Sequence, residues 1–375
     1  MLKTALKILY AVIIISAAFV AYLKPYHNWD MLGYMACAIS IDEQHADSVH
    51  SITYHHAKTE LAPKDYEALV DPTNAYRKRN FEDSNYFHEQ LPLYRIKPLY
   101  IPLVYLFFKA GMPLTAATVL PSVLAYAAIG WLLFFWMMKF TQILPAFIFS
   151  VWMLLSPPLW ETALSSTPDA LAGLMTFTAF FFILEKKNFK TGLWFLLAGI
   201  ATRIDVFLLA IMLLIFLKVT KAGSKNITTS EFIIFSGTSL LLFFFIASWL
   251  GNFGTDTIGY YALVQSDFAS QLTTNPMLEY VVLLARGIYR IQHSMIFFFL
   301  LLAFITILLR RSMAPIQKDF YSQVMLLLLL QMLLRYLLHP VIEDRFLVMH
   351  YLLIVIIFIK TIFGKFLSEP VPANG

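Results

Sequence analysis

The stretch TGLWFLLAGIATRIDVFLLAIMLLIFLK, residues 191–218, decides how the chain is threaded. As one helix it would rise about 42 Å at 1.5 Å per residue, more than the roughly 30 Å of hydrocarbon that an untilted span must cross. It is nevertheless too short for two full spans. The tetrapeptide TRID at 202–205 interrupts the apolar run with two charges. The stretch therefore reads as a hairpin of two short helices with TRID at its tip.

The rest of the chain is of the same kind. Of 375 residues, 59% are hydrophobic and 14% charged, against roughly 45–50% and about 25% in soluble domains. Further apolar runs occur at about 8–23, 114–138, 141–157, 168–184, 232–250, 291–309, 320–338 and 346–363. Each is long enough, or nearly so, to cross a bilayer. Residues 8–23 follow Lys3 and Lys7 and read as an uncleaved anchor rather than a signal peptide. Residues 98–110 (PLYIPLVYLFFKA) are too short to span, and two prolines mark their first turns. They read as a juxtamembrane helix lying flat.

The positive-inside rule tests these choices together. With ten transmembrane helices and the N-terminus inside, the cytoplasmic side receives Lys3, Lys7, Lys139, Lys186, Lys187, Lys190, Lys218, Lys221, Lys225, Arg310, Arg311, Lys318, Lys360 and Lys365. Treating 191–218 as a single span would move Lys218, Lys221, Lys225, Arg310 and Arg311 outside. Among the acids, only Glu185, Glu231, Asp319 and Glu369 fall inside; the other nineteen of twenty-three lie on or near the outer face. The expected fold is an all-α polytopic membrane protein, one domain over 1–375. Its outer surface comprises a large first loop, 24–97, and the shorter segments 158–168, 202–205, 251–290 and 338–345. The expected location is a cell membrane, in particular a bacterial inner membrane, with the site facing outward.

The net charge of +5 reflects lysines beside apolar runs, so nucleic-acid binding is not expected. The single cysteine, Cys37, has no partner for a disulfide or a thiolate metal site. His45, His50, His55, His56 and His88 match no ligand spacing, and no metal or cofactor is expected.

The candidate chemistry lies in outer segments. Asp30, in WDMLGY just beyond the first helix, could serve as a general base or merely cap a helix. Asp169 opens a helix after Pro168, where the helix dipole favours a carboxylate. Arg203 and Asp205 at the hairpin tip could form an ion pair or a site, because ionisable groups at membrane depth are usually paired or functional. Arg345, in HPVIEDRF, could hold a phosphate or pair with Glu343 or Asp344. Arg95 and Lys97 precede the flat helix and suit a lipid headgroup or a substrate.

The order of these features resembles the GT-C superfamily of membrane glycosyltransferases, in particular the branch with protein O-mannosyltransferases and aminoarabinose transferases. The resemblance rests on WDMLGY (Asp30, Tyr34), YRIKPLYIPLVYLFFKAG, STPDALAGL, GIATRID and EDRF, taken in that order along most of the chain. It implies a sugar donor linked to polyprenyl phosphate and a glycolipid, glycan or protein acceptor, with membrane lipids around both. By the same resemblance Asp30 is the base that deprotonates the acceptor hydroxyl, Arg203, Arg345, Arg95 and Lys97 serve the donor phosphate, and Asp169 and Tyr34 shape the acceptor side. The main competing expectation is a transporter or flippase. That reading calls for ionisable groups near the midplane and paired broken helices, whereas the sequence offers one interrupted hairpin without a counterpart. A structural subunit of an envelope-assembly complex is a further alternative.

Overall fold

The computed structural model describes residues 1–220, 227–250, 276–312 and 319–368. Lys221, Lys225, Lys318 and Glu369, the Lys365 side chain, and part 251–275 of the expected 251–290 loop lie outside the described residues. Among the described residues the fold is all-helical, with one isolated backbone bridge between Tyr26 and Ser165.

Helix α1 (Leu2–Leu23) shows why the chain belongs in lipid. Tyr10, Ile14, Ala17 and Ala21 recur at helical spacing and are buried, whereas Ile8, Val12, Ile15 and Phe19 on the opposite side are exposed. A helix that is apolar on both faces has no stable place in water.

Residues 30–109 form a layer of short helices: α2 (Asp30–Ile39), α3 (Ala46–Glu60), α4 (Pro63–Leu69), α5 (Ala75–Glu82), α6 (Ser84–Gln90), α7 (Pro92–Arg95) and α8 (Tyr100–Lys109). The expected long loop 24–97 is therefore largely helical. Its start signals are local: Pro63 and Pro92 sit in first turns, Asn74 accepts from the Arg77 amide, and Asp83 accepts from the amides of Asn85 and Tyr86. The α3 residues Val49, Thr53, Tyr54 and Ala57 form a buried stripe. The expected flat helix at 98–110 is α8.

The remaining helices are α9 (Leu114–Met137), α10 (Ile143–Leu154), α11 (Pro157–Leu164), α12 (Asp169–Phe180, extended by a π turn over Phe181–Glu185), α13 (Phe189–Thr202), α14 (Val206–Val219), α15 (Thr229–Trp249), α16 (Pro276–Ile291), α17 (Ile296–Arg311), α18 (Phe320–Leu338) and α19 (Val348–Ser368). The hairpin is present as α13 and α14 joined at residues 203–205. Two expected loops contain helix instead. Residues 158–168 largely form α11, bent 56° from α10 at Ser156, and 276–291 form α16, bent 77° from α17. Prolines in the first turn of α11 restart the helix in a new direction. Among the described residues, α1, α9, α15 and α18 are long and apolar enough to cross a membrane, and the two bent pairs raise that number to six.

The helices share two ends. At the layer end, the Tyr26 amide donates to Leu164 O at 2.8 Å, and Glu60 of α3 accepts from the Thr115 amide and hydroxyl at the start of α9, each at 2.8 Å. At the opposite, lysine end, Lys190 pairs with Glu231, Lys360 with Glu185 and Arg310 with Asp319.

With Cys37 replaced, a cysteine at exposed Ala75 in the layer should react with an impermeant thiol reagent added outside intact cells. A cysteine at exposed Ser312, at the lysine end, should be protected. Labelling of both from the same side would reject the two-ended threading.

Candidate functional site

Five of the candidate charges, Asp30, Asp169, Arg203, Asp205 and Arg345, meet at the layer end, brought together from distant parts of the chain. Asp30 is the first residue of α2, but Trp29 is the N-cap residue and makes no side-chain cap bond. The Asp30 carboxylate turns outward. Its Oδ1 accepts from the Tyr94 hydroxyl at 3.3 Å, and its Oδ2 lies 3.4 Å from Asn28 Nδ2 and 3.5 Å from both terminal nitrogens of Arg345. Gly33 makes the Tyr94 contact possible, since a Cβ there would sit 2.6 Å from the tyrosine ring.

Asp169 opens α12 and is buried. Its carboxylate accepts from Thr167 Oγ1 at 2.8 Å, pairs with Arg203, and lies 3.6 Å from Arg345 Nε. Arg203 ends α13, and its fork grips Asp205 with two bonds of 3.0 and 2.7 Å. Arg203 is thus ion-paired, the first of the two alternatives raised for it, and its partners are Asp169 as well as Asp205. Arg345 sits in the 3-10 turn Asp344–Phe346, with Nε 2.5 Å from Glu343. Asp344 holds that turn, accepting from the Met295 amide at 2.9 Å and the Tyr351 hydroxyl at 2.8 Å.

Lys97 also belongs to the cluster, but Arg95 does not. Lys97 Nζ donates to Leu93 O and lies 5.5 Å from the ring centres of both Tyr34 and Tyr94. Desolvation pushes the Lys97 ammonium down to about 8, partly opposed by the nearby Asp30 charge. Tyr34 is buried one turn after Asp30, edge-on to Tyr94 and Tyr100. Arg95 instead lies beside Cys37 and His88, because residues two apart on this turn face different ways. Burial pushes the Cys37 thiol up to about 12, away from nucleophilic use. In the loop layer, His50 meets Asn80 O at 3.0 Å and His56 meets Glu60 at 2.7 Å. Among the described residues no three His, Cys, Asp or Glu side chains are grouped to hold a metal.

Sequence reasoning missed Arg335. It lies within α18, buried, with Nε 3.1 Å from Asp205 Oδ2. An arginine inside the apolar run LLLLLQMLLRYLL was itself the signal. It also missed the role of Phe346, whose ring centre lies 4.5, 4.8 and 5.1 Å from the guanidinium carbons of Arg203, Arg335 and Arg345. Burial alone would push the Asp205 carboxyl up, but Arg203 and Arg335 hold it well below the usual carboxylate range. The cleft lined by these charges continues along apolar Val206, Leu209, Val348 and Met349.

No family model, curated protein or solved structure matches this chain.

Asp205→Ala leaves two enclosed guanidiniums without their shared carboxylate, and breaking such a buried pair typically costs about 3–5 kcal/mol. Thermal unfolding in detergent should show a clear drop in midpoint, far larger than for Asp65→Ala in the loop layer. Equal midpoints for the two variants would mean that the Asp205 pairs add no stability.

Proposed function

We propose that this chain is an integral-membrane glycosyltransferase of the GT-C kind. It moves a sugar from a polyprenyl-phosphate donor to the hydroxyl of a glycolipid, glycan or protein on the outer face of a cell membrane. The observation that carries this reading is the contact of Arg345 with Asp30, which sets a carboxylate beside a cationic cleft with an apolar continuation.

In this reading Asp30 accepts the proton of the acceptor hydroxyl as that oxygen forms its bond to the anomeric carbon. The bond from that carbon to the donor phosphate oxygen breaks, and its electron pair leaves with the phosphate. Arg345, Arg203 and Lys97 face the charge that develops there. Asp169 holds Arg203 and Arg345 in place, and Tyr34 carries Lys97 on its ring. Helices α1, α9, α10, α12, α13, α14, α15, α17, α18 and α19 run alternately between the layer end and the lysine end, which supports the ten-span topology.

One observation favours a second reading, a lipid or sugar transporter: the two bent helix pairs, which are a common device in transporters. The charge cluster lies at helix ends rather than mid-helix, which favours the transferase. Assay of the purified protein for sugar transfer separates the two.

Asp30→Asn keeps the side chain's volume and removes the base. Transfer should fall about 10²–10⁴-fold with donor binding retained. Near-normal transfer would take Asp30 out of the chemistry.

The Lys97 charge is present below about pH 8 and lost above it. The donor KM should therefore rise as pH increases through that region, and Lys97→Arg should carry tight binding to higher pH. A donor KM that stays level across the same range would remove Lys97 from the donor site.

A further inference from the structure

The lysine end holds more positive charge than its acids pair. Among the described residues, Glu185 meets Lys360 at 3.3 Å, Glu231 meets Lys190 at 3.2 Å and Asp319 meets Arg310 at 2.5 Å. Lys186 and Lys187 rest instead on aromatic faces, with Nζ 5.9 Å from the Phe181 ring centre and 5.2 Å from that of Phe320. Lys360 lies over Tyr321 at 4.8 Å and Phe140 at 5.5 Å.

The backbone at Lys187 adds an independent observation. Its φ of 52° is the one positive value at a non-glycine residue among those described. The Asn188 amide closes the end of the preceding helix on Phe182 O at 2.9 Å, a helix-ending geometry in which glycine is the ordinary residue. Here the position carries a lysine whose charged form is disfavoured first by burial and then by the nearby Lys360 charge, with Glu185 only partly opposing both. Orientation in the membrane needs only lysines somewhere in the flanking loops. It does not call for one at a left-handed position, packed on a ring beside a second ammonium. Such strain persists where it serves a site.

We propose that Lys186, Lys187 and Lys360 form a binding site for the phosphodiester headgroup of an anionic phospholipid. The phosphate adds the negative charge that Glu185 alone does not supply to the three ammonium groups, and the acyl chains lie along the apolar helices that carry the four rings. The site is separate from the charge cluster at the layer end and does not depend on the transferase reading.

The test uses the full chain in nanodiscs of phosphatidylcholine with increasing phosphatidylglycerol, read by native mass spectrometry as bound phosphatidylglycerol and by the unfolding midpoint. A basic group near an anionic lipid surface is worth roughly fivefold in affinity. The double variant Lys186→Gln/Lys187→Gly should therefore weaken phosphatidylglycerol retention by about tenfold or more and lose the lipid-dependent rise in midpoint. Glycine accepts the positive φ without strain, so the fold is preserved. Lys3→Gln, at the start of α1, should bind as the wild type does. Wild-type retention in the double variant, an equal loss in Lys3→Gln, or no preference of the wild type for phosphatidylglycerol would each overturn the proposal.

Discussion

An enclosed charge needs an opposite charge beside it, and at the layer end this requirement ties the chain together. Arg335, Asp205, Arg203, Asp169, Arg345 and Asp30 form an alternating series in which each member touches the next. The series joins α18, the hairpin tip, the start of α12, the turn before α19 and the start of α2. Removing a partner from such a series costs more than leaving the pair intact contributes, because the remaining charge stays enclosed. The apolar packing that also holds the helices is non-directional. The ion pairs supply direction and fix which helix ends meet.

The series is uneven, and the unevenness bears on function. Its bonds at Asp205 are short, both oxygens being gripped by Arg203, and Glu343 beside the series takes Arg345 Nε at 2.5 Å, whereas Asp169 lies a looser 3.6 Å from Arg345. At the Asp30 end the contacts are 3.3–3.5 Å. Asp169 is buried, whereas the Asp30 side chain is 33% exposed. A carboxylate spent on short bonds from every side has no lone pair for a substrate proton. Asp30 is held in place by Arg345 and Tyr94 yet remains reachable, unlike buried Asp169; Asp205 is as exposed as Asp30 but is taken up by short bonds from Arg203 and Arg335.

Much of this was legible in the sequence where the physics is local. The hairpin followed from the length of 191–218 and its two central charges, and the short helix α8 from two prolines at the start of a short apolar run. The helices of the 24–97 layer were signalled by Pro63, Asn74, Asp83 and Pro92, but their mixed composition resembles that of a loop, and their stability comes from packing against α2, α8 and α9. Pro157 and Pro158 mark the bend at Ser156, whereas no proline marks the bend between α16 and α17. At the site, Asp30, Asp169, Arg203 and Arg345 were marked by their positions at the mouths of apolar runs. Arg335 carried the same mark inside a run and was passed over. That Lys97 and Arg95 part company is a matter of side-chain direction over a single turn, which composition does not reveal.

The proposed transfer also makes electrostatic sense of a cluster whose charges are nearly balanced. Lys97, Arg203, Arg335 and Arg345 stand against Asp30, Asp169, Asp205 and Glu343. A phosphodiester donor adds one negative charge. As the sugar moves, Asp30 becomes neutral by taking the proton, while the departing phosphate gains the charge that Asp30 gives up. The sum does not change, and the charge is displaced from one side of Arg345 towards the other. A guanidinium that already lies between the carboxylate and the cleft stabilises both arrangements with little movement, which is the condition under which fixed dipoles and charges lower a barrier most. In that reading the contact of Arg345 with Asp30, longer than its contact with Glu343, is the one that weakens as Asp30 takes the proton.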